Sequence, residues 1–302
     1  MSKLVIFDGN AIMHRAYHAL PPLKTKKDEP INAVYGLVSM LLKVIQDLEP
    51  THVVFAFDRP EPTFRKKILE EYQAHRPEMD KDLGSQFEKA YETLKAFGIP
   101  IYSKAGYEAD DVIGTMANRA EASEILIVTG DRDMLQLVNE KVKLYMPGRS
   151  LSDAVEYNAK KATEKMGVPP KQVVDLKALT GDQSDNYKGV PGIGPKTAIK
   201  LLEEYGDLEN IYKVAEAGHA SKHSPRTKKL LEEYKESAFQ SQDLARIRID
   251  VDIEFDLSAA GKFKADSPEV LMLFEEYGFR TLTRRVREVG EKIASKHQQT
   301  LL

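Results

Sequence analysis

Three carboxylates fall within four residues near the middle of the chain: Glu108, Asp110 and Asp111. The residues that follow, 109–119, have helical spacing with an apolar face, so these acids would open a helix, where the helix dipole favours negative charge. One acid in a first helical turn is commonly a cap, but several like charges close together need a cation to offset their repulsion. The pattern therefore predicts a divalent-metal site built from carboxylate oxygens.

Further acids stand at the ends of segments that read as buried strands. Asp8, Asp58 and Asp131 each follow an apolar run, and Asp133 lies two positions beyond Asp131. Helical segments separate these runs, and this alternation predicts an α/β fold with a mostly parallel central sheet flanked by helices. Ligands of such sheets bind outside the carboxyl ends of the strands, so we expect these acids at one edge of one sheet.

The composition restricts the chemistry that such a site can perform. The chain has 302 residues, no cysteine and a net charge of −3. The lack of cysteine excludes disulfides and thiolate metal sites, which leaves hard cations such as Mg²⁺ or Mn²⁺. No apolar run is long enough to cross a bilayer, and the first residues lack the layout of a signal peptide. We therefore expect a cytoplasmic monomer with no membrane partner.

The pattern of elements divides the chain into two domains and a tail. An N-terminal α/β domain is expected at residues 1–168 and a helical domain at 169–290, while residues 291–302 read as a flexible tail. Residues 244–249 read as a late strand. This division places the acids that follow strands in the first domain.

A basic and aromatic segment lies within the first domain, at about residues 60–97. It carries Arg65 and Lys66, and then the run from Tyr72 to Arg76. One interpretation is a solvated, charged helix. The other is a segment that lies over the acids, where it binds phosphates and stacks a base.

Two features of the helical domain also suggest chemistry. Asp182 and Asp185 are three positions apart around a predicted helix end, so they either cap the chain or face one ion. A Gly/Pro-rich turn then leads into a helix at 196–205. Such a turn lets a ligand approach the backbone and presents N–H groups to a phosphate. The residues concerned are Gly192, Gly194, Lys196 and Thr197.

Taken together, these motifs resemble the 5′-nuclease, or flap endonuclease, family, and most closely the 5′→3′ exonuclease domains of bacterial DNA polymerases I. The resemblance covers nearly the whole chain, and the motifs occur in the same order. They are Phe7-Asp8-Gly9-Asn10, Phe57-Asp58, Gly106-Tyr-Glu108-Ala-Asp110-Asp111, Thr129-Gly-Asp131-Arg-Asp133, Thr180-Gly-Asp182-Gln-Ser-Asp185 and Gly189-Val-Pro-Gly192-Ile-Gly194-Pro-Lys196-Thr197-Ala198.

The resemblance implies a PIN-like fold with a helix-hairpin-helix and a structure-specific 5′ nuclease that acts in DNA replication, in RNA primer removal and in repair. It implies hydrolysis at 5′ ends and 5′ flaps of DNA with two Mg²⁺ ions, for which Mn²⁺ could substitute. The implied metal ligands form two groups: Asp8, Asp58, Glu108, Asp110 and Asp111 in the first, and Asp131, Asp133, Asp182 and Asp185 in the second.

The resemblance also implies contacts with the nucleic acid. Arg15, Tyr72 and Arg76 would act at the scissile region, with Tyr72 as the stacking aromatic of a helical arch at 60–97 that also carries Arg65 and Lys66. The helix-hairpin-helix would hold the DNA duplex through main-chain groups and a monovalent cation such as K⁺. An RNA primer paired with DNA, and a polymerase region of the same parent chain, are further partners that the resemblance suggests.

The chain departs from the family pattern at two places. Gln73 stands where relatives usually carry lysine, and Tyr187-Lys188 where relatives more often carry an apolar residue and proline. A non-catalytic protein that binds DNA junctions is the alternative function, and an RNA-cleaving nuclease on the same fold is the nearest rival. The sequence leaves open whether the chain is a stand-alone nuclease or a polymerase domain.

Overall fold

The computed structural model describes residues 2–148, 153–216 and 224–300. Six strands form one sheet in these ranges: β1 (Lys3–Asp8), β2 (His52–Ala56), β3 (Ile101–Tyr102), β4 (Glu124–Val128), β5 (Val142–Met146) and β6 (Val155–Tyr157). Their order is β3-β2-β1-β4-β5-β6. All neighbouring pairs are parallel except β5 and β6, which are antiparallel. The predicted α/β class with a mostly parallel sheet is confirmed.

The helices surround this sheet and continue beyond it. They are α1 (Gly9–Ala19), α2 (Asn32–Leu48), α3 (Phe64–Ile68), α4 (Lys81–Gly84), α5 (Gln86–Ala96), α6 (Ala109–Arg119), α7 (Ala159–Met166), α8 (Val173–Thr180), α9 (Pro195–Tyr205), α10 (Leu208–Glu216), α11 (Pro225–Glu233), α12 (Lys235–Ala245), α13 (Leu257–Ala260), α14 (Pro268–Tyr277) and α15 (Arg280–Thr300). Short 3₁₀ helices lie at Asp133–Leu137 and Pro170–Gln172. None of the helices in the described ranges is long and apolar enough to cross a membrane.

Both faces of the sheet are covered, which explains why its central strands are continuously apolar. Side chains alternate between the faces along β1. Val5 and Phe7 belong to a core that includes residues of α2, α5, α14 and α15. Leu4 and Ile6 belong to the opposite core, which includes residues of α6. The strand ends that carry the acids are therefore held by packing on two sides.

The helical region has a third core, formed by residues of α8 to α12. The turn between α8 and α9 depends on glycine. Gly189 and Gly192 have φ values of +61° and +92°, a region that other residues rarely adopt. A Cβ atom on Gly189 would also lie 2.3 Å from the backbone nitrogen of Gly181. The predicted tight turn between two helices is therefore present.

Four features differ from the sequence-based expectations. Residues 246–249 are irregular rather than a strand, while β6 was not predicted. The segment at 60–97, expected as a helical arch, contains the short helices α3 and α4 and the longer α5, which packs Ala90 and Leu94 into the core. The expected tail is helical as far as Thr300, since α15 continues through it. Finally, α14 and α15 pack on α2 and α5 of the first domain rather than within the helical region.

This last arrangement predicts a stability effect far from the acids. Leu282 of α15 is fully buried in the first core, so Leu282→Ala should lower the free energy of unfolding by about 2–5 kcal/mol through lost contacts and a cavity. Urea denaturation measures the change. The matched control is Met272→Ala on α14, because Met272 is 72% exposed. Equal effects of the two substitutions would contradict the packing described here.

Candidate metal centre

A cavity of about 470 Å³ opens at the carboxyl ends of β1, β2 and β4. Seven of the nine predicted metal ligands line it: Asp8, Asp58, Glu108, Asp110, Asp131, Asp133 and Asp185. Residues from distant parts of the chain thus meet at one edge of the sheet, as the parallel topology requires. Their role as metal ligands stays a prediction.

Local hydrogen bonds fix the acids that follow β1 and β2. Asp8 is the last residue of β1 and caps α1, where its Oδ1 accepts from the Ala11 N–H at 3.0 Å. Its Oδ2 accepts from the Thr129 hydroxyl at 2.7 Å. Asp58 is held in a similar way: its N–H donates to Asn10 Oδ1 at 2.9 Å, and its Oδ1 accepts from the Ala109 N–H at 2.7 Å.

Two backbone N–H groups connect the acids that follow β4 to neighbouring side chains. The Thr129 hydroxyl accepts from the Asp131 N–H at 3.0 Å, and Asp131 Oδ1 accepts from the Asp133 N–H at 2.8 Å. Thr129 therefore joins the acids of β1 to those of β4, because it also donates to Asp8. These bonds orient the carboxylates of Asp8 and Asp131.

The first group of acids is poorly compensated. Burial raises the pKa of Asp8 to about 7, although hydrogen bonds from Ala11 and Thr129 oppose the shift. Burial likewise raises the pKa of Glu108 to about 7, against the charge of Arg65. The pKa of Asp110 is raised well above its ordinary value by burial and by the negative charges of neighbouring acids, the largest from Asp131. A bound cation would reverse these shifts, because it favours ionised carboxylates.

Asp111 does not share this environment. Both of its oxygens accept from the Arg65 guanidinium, at 2.7 and 2.9 Å. The N–H groups of Glu108 and Arg248 also donate to it, at 3.1 and 2.9 Å. Asp111 is fully buried and absent from the cavity wall. Its oxygens are therefore engaged in structural bonds in this structure, which leaves no free oxygen for a metal ion.

Arg65 was predicted to contact DNA, but in this structure its side chain is buried in the wall of the cavity. The residue is 2% exposed. Besides its pair with Asp111, its Nε and Nη2 donate to the carbonyls of Leu244 and Arg246, at 2.9 and 3.0 Å. Its donors are thus directed into the protein, where they join α3, α6 and the end of α12.

The second group of acids contains a compact triad. Among the described residues, Asp133, Asp182 and Asp185 place ligand atoms within 4.8 Å of one another. Two side-chain cations accompany them: the ammonium group of Lys177 bridges Asp133 and Asp182, and Arg76 Nη2 donates to Asp185 Oδ1 at 2.7 Å. Burial raises the pKa of Asp133 to about 6, although Lys177 opposes the shift. The triad needs positive charge, and here the protein itself provides it.

Tyr72 was predicted to stack on a base, but its side chain is only 2% exposed. Its hydroxyl donates to Glu108 Oε2 at 3.4 Å and to Asp185 Oδ2 at 3.3 Å. The next residue, Gln73, has a φ of +58° and its Nε2 donates to Asp185 Oδ1 at 3.2 Å. In this structure Tyr72 lies in the wall of the cavity, where it packs with Val174, Tyr187 and Leu244.

The remaining predicted contacts lie in different places. Arg76 and Lys66 are exposed and line the cavity. Arg15 lies on α1 and is absent from the cavity wall, although its neighbour His14 is part of it. At the start of α9, residues of the turn are solvent-accessible; these are Gly192, Gly194, Lys196 and, in part, Thr197.

Sequence reasoning missed several residues that support the acids. Asn10, Thr129 and Lys177 each bond directly to an acid or to its backbone. Asn10 and Thr129 lie within motifs that already contain an acid, so their proximity in sequence was a usable signal. Lys177 had a weaker signal, since it precedes Asp182 by five positions on a helix with few other charges.

Comparison with known proteins gives two consecutive family matches. Residues 3–167 match the model described as 5′-3′ exonuclease, N-terminal resolvase-like domain. Residues 168–268 match the model described as 5′-3′ exonuclease, C-terminal SAM fold. Together the two models cover most of the chain.

A curated relative agrees with these family matches. The chain is 40% identical over 286 residues to DNA polymerase I of Bacillus caldotenax, covering 94% of this chain and 32% of that protein. The chain therefore spans about a third of the length of the curated relatives it matches.

Two solved structures share the fold. One is the bacteriophage T5 flap endonuclease in a complex with DNA and metal ions, with a TM-score of 0.65, 19% identity, and coverage of 96% of this chain and 98% of that one. The other is flap endonuclease-1 from Methanococcus jannaschii, with a TM-score of 0.62, 18% identity, and coverage of 98% and 93%. At these identities the likeness concerns the fold alone.

The raised pKa of Asp110 predicts a pH-dependent stability effect without metal. The raised pKa keeps the Asp110 carboxyl protonated in the folded protein at pH values above 3.8, its ordinary pKa. The free energy of unfolding therefore falls as the pH rises, because ionising this buried group is unfavourable. Asp110→Asn cannot ionise, so in EDTA its Tm advantage over the unmodified chain should grow from pH 4 to pH 8, reaching roughly 3 °C or more. Thermal denaturation followed by circular dichroism measures it. Glu121→Gln, at an exposed acid, is the control, and a pH-independent advantage of Asp110→Asn would refute the argument.

The pair between Arg65 and Asp111 predicts a second effect. Arg65→Met leaves a buried carboxylate without its partner, which should cost about 3–5 kcal/mol of unfolding free energy in urea titrations. Adding Asp111→Asn should recover part of the loss, because the uncompensated charge is removed. Arg59→Met is the control, since Arg59 and Glu61 form an exposed pair at a similar 2.7 Å. Equal losses of unfolding free energy from Arg65→Met and Arg59→Met would contradict the argument that burial makes the Arg65–Asp111 pair costly to break.

Proposed function

Because the chain belongs to the 5′-3′ exonuclease family, we propose that it is a structure-specific nuclease that hydrolyses phosphodiester bonds at 5′ ends and 5′ flaps of DNA. The observation that carries this proposal is the cavity in which seven of the predicted metal ligands, from distant parts of the chain, meet at one sheet edge. No serine lines this cavity, and Asp and Glu are the most frequent residue types in its lining. Such a site suits hydrolysis by water with the help of metal ions.

The donor set fits hard divalent cations, because the free oxygens are carboxylates and the chain has no cysteine. Two Mg²⁺ ions, or Mn²⁺ in their place, would lower the pKa of a bound water and stabilise the charge that develops on the phosphate. We assign the first ion to Asp8, Asp58, Glu108, Asp110 and Asp131, and the second to Asp133, Asp182 and Asp185. Asp111 is left out of the set, since Arg65 holds it.

Side chains at the mouth of the cavity would position the substrate. Lys66 and Arg76 are exposed and line it, so they can neutralise the scissile phosphate. Arg76 would have to exchange its bond to Asp185 for one to the phosphate. Tyr72 and Arg65 serve in packing in this proposal, because both are buried. Arg15 lies outside the cavity wall, and we give it no catalytic step.

The turn before α9 is our proposed anchor for duplex DNA. Gly192, Gly194 and Lys196 are exposed beside the first turn of the helix, where N–H groups and the helix dipole favour a phosphate. The main-chain carbonyls of this turn would bind a monovalent cation such as K⁺. The T5 structure in complex with DNA has the same fold, which supports nucleic-acid binding by this architecture.

The relatives suggest the wider role. The relative named above, DNA polymerase I of Bacillus caldotenax, is about three times as long as the region that matches this chain. We propose that this nuclease works in the cytoplasm with a polymerase region, removing RNA primers during replication and damaged strands during repair. We propose a monomer, since one chain contains all the acids of the cavity.

Cleavage of an end-labelled 5′-flap DNA, with Mg²⁺ and with EDTA, tests the proposal. The unmodified chain should cleave only with Mg²⁺. Asp131→Asn should lose cleavage by a factor of roughly 10³ or more, while DNA affinity in gel-shift assays stays within about tenfold, since phosphate contacts dominate binding. Asp250→Asn, at an exposed aspartate outside the cavity, should cleave normally.

Two other results would redirect the interpretation. Flap binding without cleavage under any divalent cation would identify a non-catalytic junction-binding protein. Preferential cleavage of an all-RNA flap over the matched DNA flap would identify an RNA nuclease on this fold, because the 2′-hydroxyl is the chemical difference between them.

A further inference from the structure

A second cavity, of about 460 Å³, lies between α6, the loop after the 3₁₀ helix at Asp133–Leu137 and the start of α8. Residues from 246 to 249, which follow α12, form the rest of its wall. Its volume falls within the usual range of small-molecule sites. Ile247 also lines the cavity of the metal centre, so the two cavities share a wall. None of the acids that we assign to metal binding lines the second cavity.

The charge of the second cavity is opposite to that of the metal centre. Its wall contains three cationic side chains and, within the described ranges, no aspartate or glutamate; the cations are Lys141, Lys171 and Arg246. Asp175, whose negative charge acts on Arg246, lies outside the wall and already accepts from Gln242 Nε2 at 2.6 Å. The cavity therefore favours a ligand with negative charge.

The cations of this wall have hydrogen-bond donors to offer. Lys171 and Arg246 are exposed, and no side-chain hydrogen bond or ion pair joins either of them to another described residue. The Lys141 ammonium donates to the Ala120 carbonyl at 2.5 Å, which leaves it two further donors. Guanidinium groups bind phosphate through two parallel hydrogen bonds. A phosphate can therefore bind here without breaking an ion pair of the protein.

Much of the remaining wall is apolar. Ile249 is 44% exposed, which is high for a large hydrophobic side chain. The other apolar residues of the wall are Ala117, Leu137, Val142, Pro170, Val174 and Ile247. The amide side chains of the wall bond to backbone groups and hold it in shape; they are those of Asn118, Gln136 and Asn139. A ligand with a flat, weakly polar ring joined to a phosphate matches both parts of this cavity.

We propose that the second cavity binds a nucleoside 5′-monophosphate, with the phosphate at Lys171 and Arg246 and the base against Ile247 and Ile249. The choice of this ligand rests on the proposed function, because cleavage near a phosphorylated 5′ end of DNA releases molecules of this class. The cavity itself requires only a phosphate joined to a flat ring. The acids of the metal centre repel such an anion in the absence of metal ions, so this site is distinct from the catalytic one.

Calorimetric titration of deoxythymidine 5′-monophosphate into the full chain in EDTA tests the inference. EDTA removes metal ions that would let the nucleotide bind among the acids. Arg246→Gln and Lys171→Gln should each weaken binding roughly fivefold, the effect of one lost hydrogen-bond partner. Arg284→Gln, at an exposed arginine of α15 outside the cavity wall, is the matched control and should leave the affinity unchanged. The Tm of each variant verifies that it is folded.

Two simpler ligands separate the contributions of the phosphate and the base. Thymidine lacks the phosphate, so it should bind more weakly than the nucleotide by a factor of roughly ten or more. Inorganic phosphate lacks the base and should also bind more weakly, yet its affinity should still fall in Arg246→Gln. Equal affinities for inorganic phosphate and for the nucleotide would overturn the assignment of a nucleotide.

The outcomes also separate this inference from the function on which its ligand rests. If the chain cleaves flap DNA with Mg²⁺ but the nucleotide does not bind in EDTA, the second site is overturned and the nuclease stands. The same holds if Arg246→Gln and Arg284→Gln bind the nucleotide equally well. If binding depends on Arg246 but no flap is cleaved, the proposed function fails and the nucleotide site stands.

Discussion

The structure depends on compensating the negative charge that its own topology concentrates. Parallel strands bring their carboxyl ends to one edge, and acids at those ends must share it. The protein neutralises part of this charge internally, with Arg65 at Asp111 and with Lys177 and Arg76 at the triad. Among the described residues no such ion pair reaches Asp8 or Asp110, and Glu108 has only a longer contact with Arg65 at 3.4 Å. Burial raises the pKa of all three. The acids at this edge thus divide into those that pair with side-chain cations of the protein and those whose negative charge is offset mainly by hydrogen bonds.

The buried pair of Arg65 and Asp111 organises the surroundings of this edge. Through it the short helix α3, the first turn of α6 and the backbone after α12 are bonded to one guanidinium. A buried ion pair is a weak source of net stability, but its geometry is demanding, so it specifies one arrangement of the segments it joins. The turn that carries Tyr72, Gln73 and Arg76 begins directly after α3 and is positioned over the acids by this link.

Sequence patterns predicted the sheet and the meeting of the acids well, because both follow from local apolar periodicity and from a general rule of parallel topology. They failed where long-range partners decide. Asp110 and Asp111 are neighbours, yet successive helical residues point about 100° apart, and only Asp110 faces the cavity. Arg65 is buried by partners 46 and 179 positions away, which no local pattern reveals. Lys177 was overlooked for the same reason, since its partner Asp133 is 44 positions away.

The return of α14 and α15 to the first core has a consequence for how the protein is made. Phe279, Leu282 and Val286 belong to the same core as β1 and α2, so the sheet's covering layer is incomplete until those late residues leave the ribosome. The helices from α8 to α12 share the third core, and this core can form earlier during synthesis. Domains commonly mature in N-to-C order as they emerge. Here the region translated first is the one whose apolar surface stays uncovered longest.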